Sequence, residues 1–194
     1  MIVLGIDPGM NGGIAKLKQD GDRWIPSAIH MPATERDIAD HFWQLYAESQ
    51  SEGIEIIAFL EKVQPMPSVR RVKTAGGEER VEVNPGMSSS GKFMQGYGFL
   101  RGCLITIGIR VEDLRPQEWQ KLMGCLTRGN KNISKGKAQQ LFPQMRITHA
   151  IADSLVIAEC GRRIRKGLAG GPLFAPPMPQ ATAAAPWEAQ GSST

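Results

Sequence analysis

Cysteine is scarce in this sequence of 194 residues. The three cysteines, Cys103, Cys125 and Cys160, lie far apart and follow no spacing typical of metal ligands. Their odd number also argues against a framework of disulfide bonds. We therefore expect neither disulfides nor a cysteine-based metal site, which is typical of a protein in a reducing, intracellular compartment.

Long apolar segments are also absent. No apolar run approaches the roughly 18 residues of a membrane-spanning helix. The N-terminus lacks the basic segment, apolar core and cleavage site of a signal peptide. We therefore expect a cytoplasmic protein with no membrane partner.

Acidic residues are missing from one long interval, between Glu118 and Asp153. The formal net charge of the whole chain is only +4, so the distribution of charge matters more than its total. The basic residues of this interval are Lys121, Arg128, Lys131, Lys135, Lys137 and Arg146. Such a run is often only a solvated face, but its length here favours an anionic partner.

The composition divides the chain into one domain and a tail. Residues 1–167 are enough for a single domain with one hydrophobic core. Beyond Leu168 the sequence consists mainly of Gly, Pro, Ala, Gln and Ser without periodicity. We expect the tail, 168–194, to be disordered.

Two buried-strand patterns each end in an acid. Residues 2–6 are apolar and are followed by Asp7, and residues 54–60 are followed by Glu61. A hairpin and a helix starting near Thr34 separate the two runs, and a crossover through a helix allows the two strands to pair in parallel. A parallel pairing would place both acids at the same edge of the sheet, where ligand sites of such sheets lie. Taken alone, Asp7 is equally well explained as an acceptor for the backbone of the glycine-rich turn after it.

The remaining pattern predicts an α/β fold with a mixed sheet of about five strands, three antiparallel and then parallel, flanked by helices. A long irregular stretch follows Glu61 and contains a possible small hairpin at 72–83. Four further helices are expected: over 92–107, after Arg115, from Ser134 as cap to Phe142, and from Thr148 as cap to about Arg165. The glycines of the first of these suggest close approach to a neighbouring backbone or ligand. A short strand is expected at 109–114.

The last helix carries His149 and Asp153, four residues apart and therefore on one face. Asp153 lies among apolar residues, where an ionised carboxylate is costly unless it is paired or binds a metal. The alternative is that Asp153 only bonds a neighbouring loop. Glu159 lies about 240° around the helix from Asp153, so we assign it to solvent.

Asp7, Glu61 and Asp153, with His149 beside them, would form a cluster of repelling carboxylates. A divalent cation would relieve the repulsion, and hard oxygen ligands suit Mg²⁺, with Mn²⁺ as a substitute. Two such ions about 4 Å apart can activate water and stabilise the leaving oxygen of a phosphodiester. His149 would complete a coordination shell or assist proton transfer.

Five segments in this order resemble the RuvC family of Holliday-junction resolvases, particularly its phage-type members. They are 5–13 (GIDPGMNGG), the strand ending at Glu61 with 62–67 (KVQPMP), 93–104, 115–121 (RPQEWQK) and 148–155 (THAIADSL). The resemblance implies a ribonuclease H-like fold and a metal-dependent endonuclease. It also implies a homodimer that cuts two opposed strands of a four-way DNA junction, in a bacterial cell or a phage-infected host.

Asp7, Glu61 and Asp153 fall on the acidic positions of that family. Its fourth position falls on Ala150, and we take His149, one residue earlier, as the fourth ligand. The residues expected to bind the phosphate backbone of branched double-stranded DNA are Lys62, Arg70, Arg71, Arg115, Lys121, Arg128, Lys131, Lys135 and Lys137.

Two alternatives keep part of this interpretation. The same nuclease fold would act on flaps, forks or RNA–DNA hybrids, or the chain would be a DNA-binding module without catalysis. An actin-like ATPase has a similar opening strand and glycine turn, but it needs a second domain and a second phosphate-binding turn, for which this sequence provides no pattern.

Overall fold

The computed structural model describes residues 1–62, 68–74, 77–83, 87–127 and 130–168, and the backbone alone for 68–89 within those ranges. The predicted tail beyond Leu168 and the predicted DNA-binding Arg128 lie outside the described residues. Within the described part, no helix combines the length and the apolar character needed to cross a bilayer.

Seven strands and five helices make up the described chain. The strands are β1 (Ile2–Asp7), β2 (Gly13–Asp20), β3 (Arg23–His30), β4 (Ile56–Glu61), β5 (Ser68–Thr74), β6 (Gly77–Val83) and β7 (Arg110–Leu114). The helices are α1 (Glu35–Ser51), α2 (Met87–Ile107), α3 (Pro116–Leu122), α4 (Lys131–Leu141) and α5 (His149–Arg165).

Five strands form one mixed sheet in the order β3-β2-β1-β4-β7. β2 is antiparallel to both of its neighbours, while β4 runs parallel to β1 and β7 runs parallel to β4. This confirms the prediction of three antiparallel strands followed by parallel ones. β5 and β6 pair with each other as a separate antiparallel hairpin, starting four residues earlier than the hairpin predicted at 72–83.

Alternating side chains of the central strands supply two cores, one on each face of the sheet. Val3, Ile57 and Phe59 face the layer that contains α5, while Ile2, Leu4 and Leu60 face the layer that contains α1 and α2. This alternation follows from the two-residue period of a strand. Because both faces are covered, the central strands are apolar throughout, as parallel strands usually are.

α5 lies directly on β1, and a glycine makes that contact possible. A Cβ atom at Gly5 would lie 2.2 Å from the carbonyl oxygen of Ser154 and 2.3 Å from the backbone nitrogen of Ala158. Gly161, one helical turn beyond Ala158, meets the ring of Phe59 in the same way. The close approach fixes the height of α5 over the sheet and therefore the position of residues near its start.

The predicted helix caps have different outcomes. Thr34 caps α1 as predicted, since its side chain accepts a hydrogen bond from the backbone N–H of Asp37. Ser134 does not cap α4, because that helix starts earlier and Asn130 is its cap. Thr148 precedes α5, but its hydroxyl lies 3.3 Å from Nε2 of His30 and makes no cap hydrogen bond.

One further expectation is wrong, and another is not met within the described chain. Glu159 is buried, not solvent-exposed, and its carboxylate accepts hydrogen bonds from Arg162 and Arg163. The reason is that α5 packs between the sheet and the helices α3 and α4, so most of its circumference is covered. The glycines Gly91, Gly96, Gly98 and Gly102 of α2 have no close neighbour in the described chain, since a Cβ at each would have nothing within 4 Å.

Candidate active site

Asp7 and Glu61 lie side by side at one edge of the sheet. Each is the last residue of its strand, and the parallel register pairs Ile6 with Leu60, so the two acids follow at the same level. Both are partly buried. The prediction that two strand ends bring these acids together is consistent with this register.

The backbone after Asp7 folds around its carboxylate. Oδ1 of Asp7 accepts a hydrogen bond from the backbone N–H of Gly9 at 3.2 Å, and the N–H of Gly12 donates to the carbonyl of Gly9 at 2.8 Å. A Cβ at Gly12 would lie 2.7 Å from Cγ of Asp7. Asp7 is therefore the turn acceptor that the sequence suggested, and Gly12 leaves the space its carboxylate needs.

Asp153 reaches the same place from α5. A Cβ at Gly13, the first residue of β2, would lie 2.9 Å from the carbonyl oxygen of Ala150, so the first turn of α5 sits beside the glycine turn. Oδ1 of Asp153 is buried and has no hydrogen-bond partner among the described residues. An unpaired buried carboxylate oxygen is costly, which indicates a position suited to a cation or a donor that completes it.

The charges of the three acids act on one another. Burial, opposed by the Gly9 N–H and reinforced by Asp153, raises the pKa of Asp7 to about 6. Burial and the neighbouring Asp7 raise the pKa of Glu61 to about 7, and Asp153 adds to that rise. Such raised values are typical of functional carboxylates, because burial and like charges both disfavour the anion.

Two residues that the sequence did not assign to this cluster act on it. The positive charge of Lys131, the first residue of α4, lowers the pKa of both Asp7 and Glu61. The indole Nε1–H of Trp119 donates a hydrogen bond to Oε1 of Glu61 at 3.1 Å. Lys131 was predicted only as one of many DNA-binding cations, and Trp119 carried no signal that separated it from an ordinary core residue.

His149 has no hydrogen bond to the acids among the described residues. It is exposed as the first residue of α5. Its role as fourth ligand stays a prediction. Met10, in the glycine turn that follows Asp7, is 95% exposed.

The acids have suitable chemistry for a hard divalent cation, but their side chains do not form a closed ligand set. As they stand, no group of three His, Cys, Asp or Glu side chains in the described ranges is placed to hold one metal ion. The unpartnered oxygen of Asp153 and the mutual repulsion of the acids nevertheless fit a missing positive charge.

The structure gives side-chain positions for only some of the residues predicted to bind DNA. Lys62 follows Glu61, Arg115 precedes α3 and pairs with Glu118, and Lys131 begins α4 beside the acids. Lys121 is exposed, whereas Lys135 and Lys137 are half-buried on α4. Arg70 and Arg71 lie in β5, where the backbone alone is described. Their contact with DNA stays a prediction.

Comparisons with known proteins define the class of fold. No protein-family model matches the sequence, and no curated protein matches it. Solved structures do match, and together with the five-stranded mixed sheet they assign the chain the ribonuclease H-like fold of RuvC.

Two of these solved structures come from Thermus thermophilus. One is described as the Thermus thermophilus RuvC structure, with a TM-score of 0.52 and 15% sequence identity, covering 86% of this chain and 97% of that one. The other is T. thermophilus RuvC in complex with a Holliday junction substrate, with a TM-score of 0.52 and 14% identity, covering 86% of this chain and 96% of that one. At such low identity the similarity establishes the fold alone.

Proposed function

We propose that this protein is a metal-dependent endonuclease that cuts DNA at four-way junctions. The observation that carries the proposal is the convergence of Asp7, Glu61 and Asp153, from three separate elements, at the carboxyl edge of the sheet. Ligand sites of open α/β sheets lie at this edge. The fold is shared with a protein whose structure was solved with a Holliday junction substrate.

The three carboxylates, with His149 as the fourth ligand, would hold Mg²⁺ or Mn²⁺. Bound divalent ions would activate water and stabilise the leaving oxygen of the phosphodiester. The protein's own contribution is to hold the acids at fixed strand and helix positions. Gly12 lets the turn fold against the Asp7 carboxylate, since a Cβ there would lie 2.7 Å from Cγ of Asp7.

Lys131 would bind the phosphate group next to the scissile bond. Its side chain is exposed, yet its charge is felt by both Asp7 and Glu61, so it lies at the rim of the acidic cluster. A cation at that position attracts an anionic backbone towards carboxylates that would otherwise repel it. The remaining predicted cations would add phosphate contacts without reading sequence.

A second copy of the chain would pack on α2 to give the homodimer that paired cutting needs. Three exposed glycines, Gly91, Gly98 and Gly102, recur seven and four residues apart, which places them along one side of the helix. Met94 and Ile105 on this stripe are 40% and 57% exposed. Glycines with free space around them allow two helix backbones to approach closely.

An immobile four-way DNA junction incubated with Mg²⁺ tests the proposed activity. We expect paired nicks at symmetric positions on opposed strands, and no nicks with Asp7→Asn or without the metal. Scattered or unpaired nicks would overturn the assignment to junctions while leaving a nuclease. Binding without any cutting, in Mg²⁺ and in Mn²⁺, would instead favour a DNA-binding module.

Flaps, forks and RNA–DNA hybrids, tested under the same conditions, separate the alternative substrates. Faster cutting of any of these than of the four-way junction would contradict the proposal. The likeness to phage-type members and the location in a bacterial or phage-infected cell remain predictions.

A further inference from the structure

Trp119 is a core residue whose one polar atom forms a hydrogen bond with a residue outside the apolar cluster. The side chain is 1% exposed and belongs to the apolar cluster between the sheet and α5. Its indole N–H donates to Oε1 of Glu61 at 3.1 Å. Packing alone would be satisfied by phenylalanine or leucine, so the choice of a residue with an N–H donor needs a separate explanation.

The acceptor of this hydrogen bond ends a strand, and the donor lies on the helix that follows the neighbouring strand. Glu61 pairs with Leu114, the last residue of β7, and α3 begins two residues after Leu114. The backbone N–H of Lys62 donates to the carbonyl of Leu114 at 2.7 Å, which ties the end of β4 to the end of β7. Trp119 therefore lies one helical turn into α3, which follows the strand that pairs with Glu61.

The start of α3 is also fixed locally. Pro116 occupies the first turn, and the carboxylate of Glu118 accepts a hydrogen bond from the backbone N–H of Arg115 at 3.2 Å. A proline and a side-chain acceptor at this position restrict how the helix can start. The indole N–H is thus presented to Glu61 by a short, well-anchored segment.

We propose that Trp119 is a positioning residue that holds Glu61 for metal binding. The hydrogen bond engages one carboxylate oxygen and limits rotation of the side chain, so that the other oxygen is directed to the cation. Within the described residues, Glu61 accepts no other side-chain hydrogen bond. The inference rests on the proposed metal site, and outer hydrogen bonds of this kind commonly orient metal-binding side chains.

Two tryptophan-to-phenylalanine substitutions test this role in the full-length protein. Trp119→Phe keeps the aromatic packing and removes the donor. Trp24→Phe is the matched control, since Trp24 packs against the same cluster but its buried Nε1 has no partner in the described chain. Mn²⁺ affinity without DNA, from the electron paramagnetic resonance signal of free Mn²⁺, is expected to fall roughly 10- to 100-fold for Trp119→Phe and to stay unchanged for Trp24→Phe.

The kinetics of junction cutting add a second readout. We expect kcat to fall for Trp119→Phe while KM for the junction stays the same, because DNA contacts are not altered. Circular dichroism melting of each variant monitors folding. Wild-type Mn²⁺ affinity in folded Trp119→Phe protein, or absence of Mn²⁺ binding by the wild type, would overturn the proposal.

A measurement on the unmutated protein covers the case in which Trp119→Phe does not fold. In ¹⁵N-labelled protein the indole N–H resonance of Trp119 should shift as Mg²⁺ is added, while that of Trp24 should not. Substitutions at Trp24, Trp43 and Trp187 assign the signals by elimination. An unmoved Trp119 signal contradicts the proposal, whereas a shifted signal in a protein that does not cut junctions supports Trp119 and refutes only the proposed substrate.

Discussion

At the scale of single residues, the acids of the candidate site oppose the stability of the fold. Burial raises the pKa of Asp7 to about 6 and that of Glu61 to about 7, so near neutral pH the folded chain holds carboxylates that would ionise more easily in the unfolded chain. The repulsion has no structural benefit that the described contacts reveal. Such a cost is expected where a site is adapted to bind a charge.

Asp7→Asn should therefore make the metal-free protein more stable above pH 6 and abolish cutting. Below pH 4 the folded chain keeps the Asp7 carboxyl protonated and the unfolded chain largely does so too, so the substitution has little effect there. Between about pH 4 and pH 6 the unfolded chain ionises this group while the folded chain retains its proton, so the free energy of unfolding of the wild type falls across that range and stays low above pH 6. From the rise of the pKa from 3.8 to about 6, we expect a gain on the order of 2–3 kcal/mol at pH 8.

Thermal melting in EDTA at pH 4 and pH 8 measures this difference. The gain corresponds to roughly 5–10 °C in Tm for a chain of this size. Subtracting the wild type at each pH removes the contribution of other titrating groups. Equal Tm differences at the two pH values would show that the Asp7 carboxylate carries no such penalty.

The acids at the strand ends could be identified from the sequence, but Trp119 and Lys131, which act on them, could not. Asp7 and Glu61 could be found because an acid that ends an apolar run stands out. Trp119 and Lys131 act on these acids from 58 and 70 residues beyond Glu61, and only tertiary packing brings them there. Glu159 was assigned to solvent because one helix considered alone always appears to have an outer face.

At the scale of elements, α5 is the piece that joins the sheet to the site. It packs against β1, β2, β3 and β4 on one side and against α3 and α4 on the other. Its carboxylate, Asp153, can meet Asp7 only if the helix approaches β1 closely. That approach depends on Gly5, whose missing side chain leaves room for the helix backbone.

Gly5→Ala should destabilise the protein strongly because the added Cβ would lie 2.2 Å from the carbonyl oxygen of Ser154. We expect a loss of about 3 kcal/mol or more in the free energy of unfolding, since backbone atoms on both sides must move. Gly136→Ala is the control, because a Cβ there in α4 has nothing within 4 Å. It should be neutral or stabilise by up to about 1 kcal/mol. Urea unfolding of both variants measures the difference, and similar values for the two would contradict a close contact at Gly5.

For the glycines of α2 we predict the opposite effect of alanine, a gain in stability of the single chain. In a single chain, Gly98→Ala and Gly102→Ala should each stabilise the helix by about 1 kcal/mol, because nothing surrounds either position. If a second copy packs on this stripe, the added methyl groups should weaken self-association instead. Sedimentation of the double variant across a concentration range measures this, and unchanged dissociation would refute α2 as the dimer surface.

At the scale of the whole molecule, the number and direction of the strands in the main sheet were predictable because each element of this sheet carries its own pattern. Alternation in β2, continuous apolar runs in β1 and β4, and the cap at Thr34 point to the same fold. The proposed self-association surface on α2 was not predictable from the sequence, since the exposure of its glycines becomes visible only in the fold. Helix starts were placed less well where several polar residues compete for the cap, as at Asn130 and Ser134.

The electrostatics of DNA binding also belong to this scale. Junction affinity should fall steeply with salt, because each phosphate contact releases counterions. Lys131→Ala should lower the slope of log affinity against log salt by about 1, whereas Lys166→Ala, at the opposite end of α5 from Asp153, should leave it unchanged. Fluorescence anisotropy with a labelled junction measures both slopes. Equal effects of the two substitutions would mean that Lys131 contributes only to the overall charge.

Asp7, Glu61 and Asp153 lie far apart along the chain, on β1, β4 and α5, and this separation has a consequence for synthesis. β1, β2 and β3 are contiguous, so they can pair while the ribosome is still making the rest of the protein. Of the three acids, Asp153 is synthesised last, as part of α5. A nascent chain therefore contains no complete acidic cluster until α5 has left the ribosome.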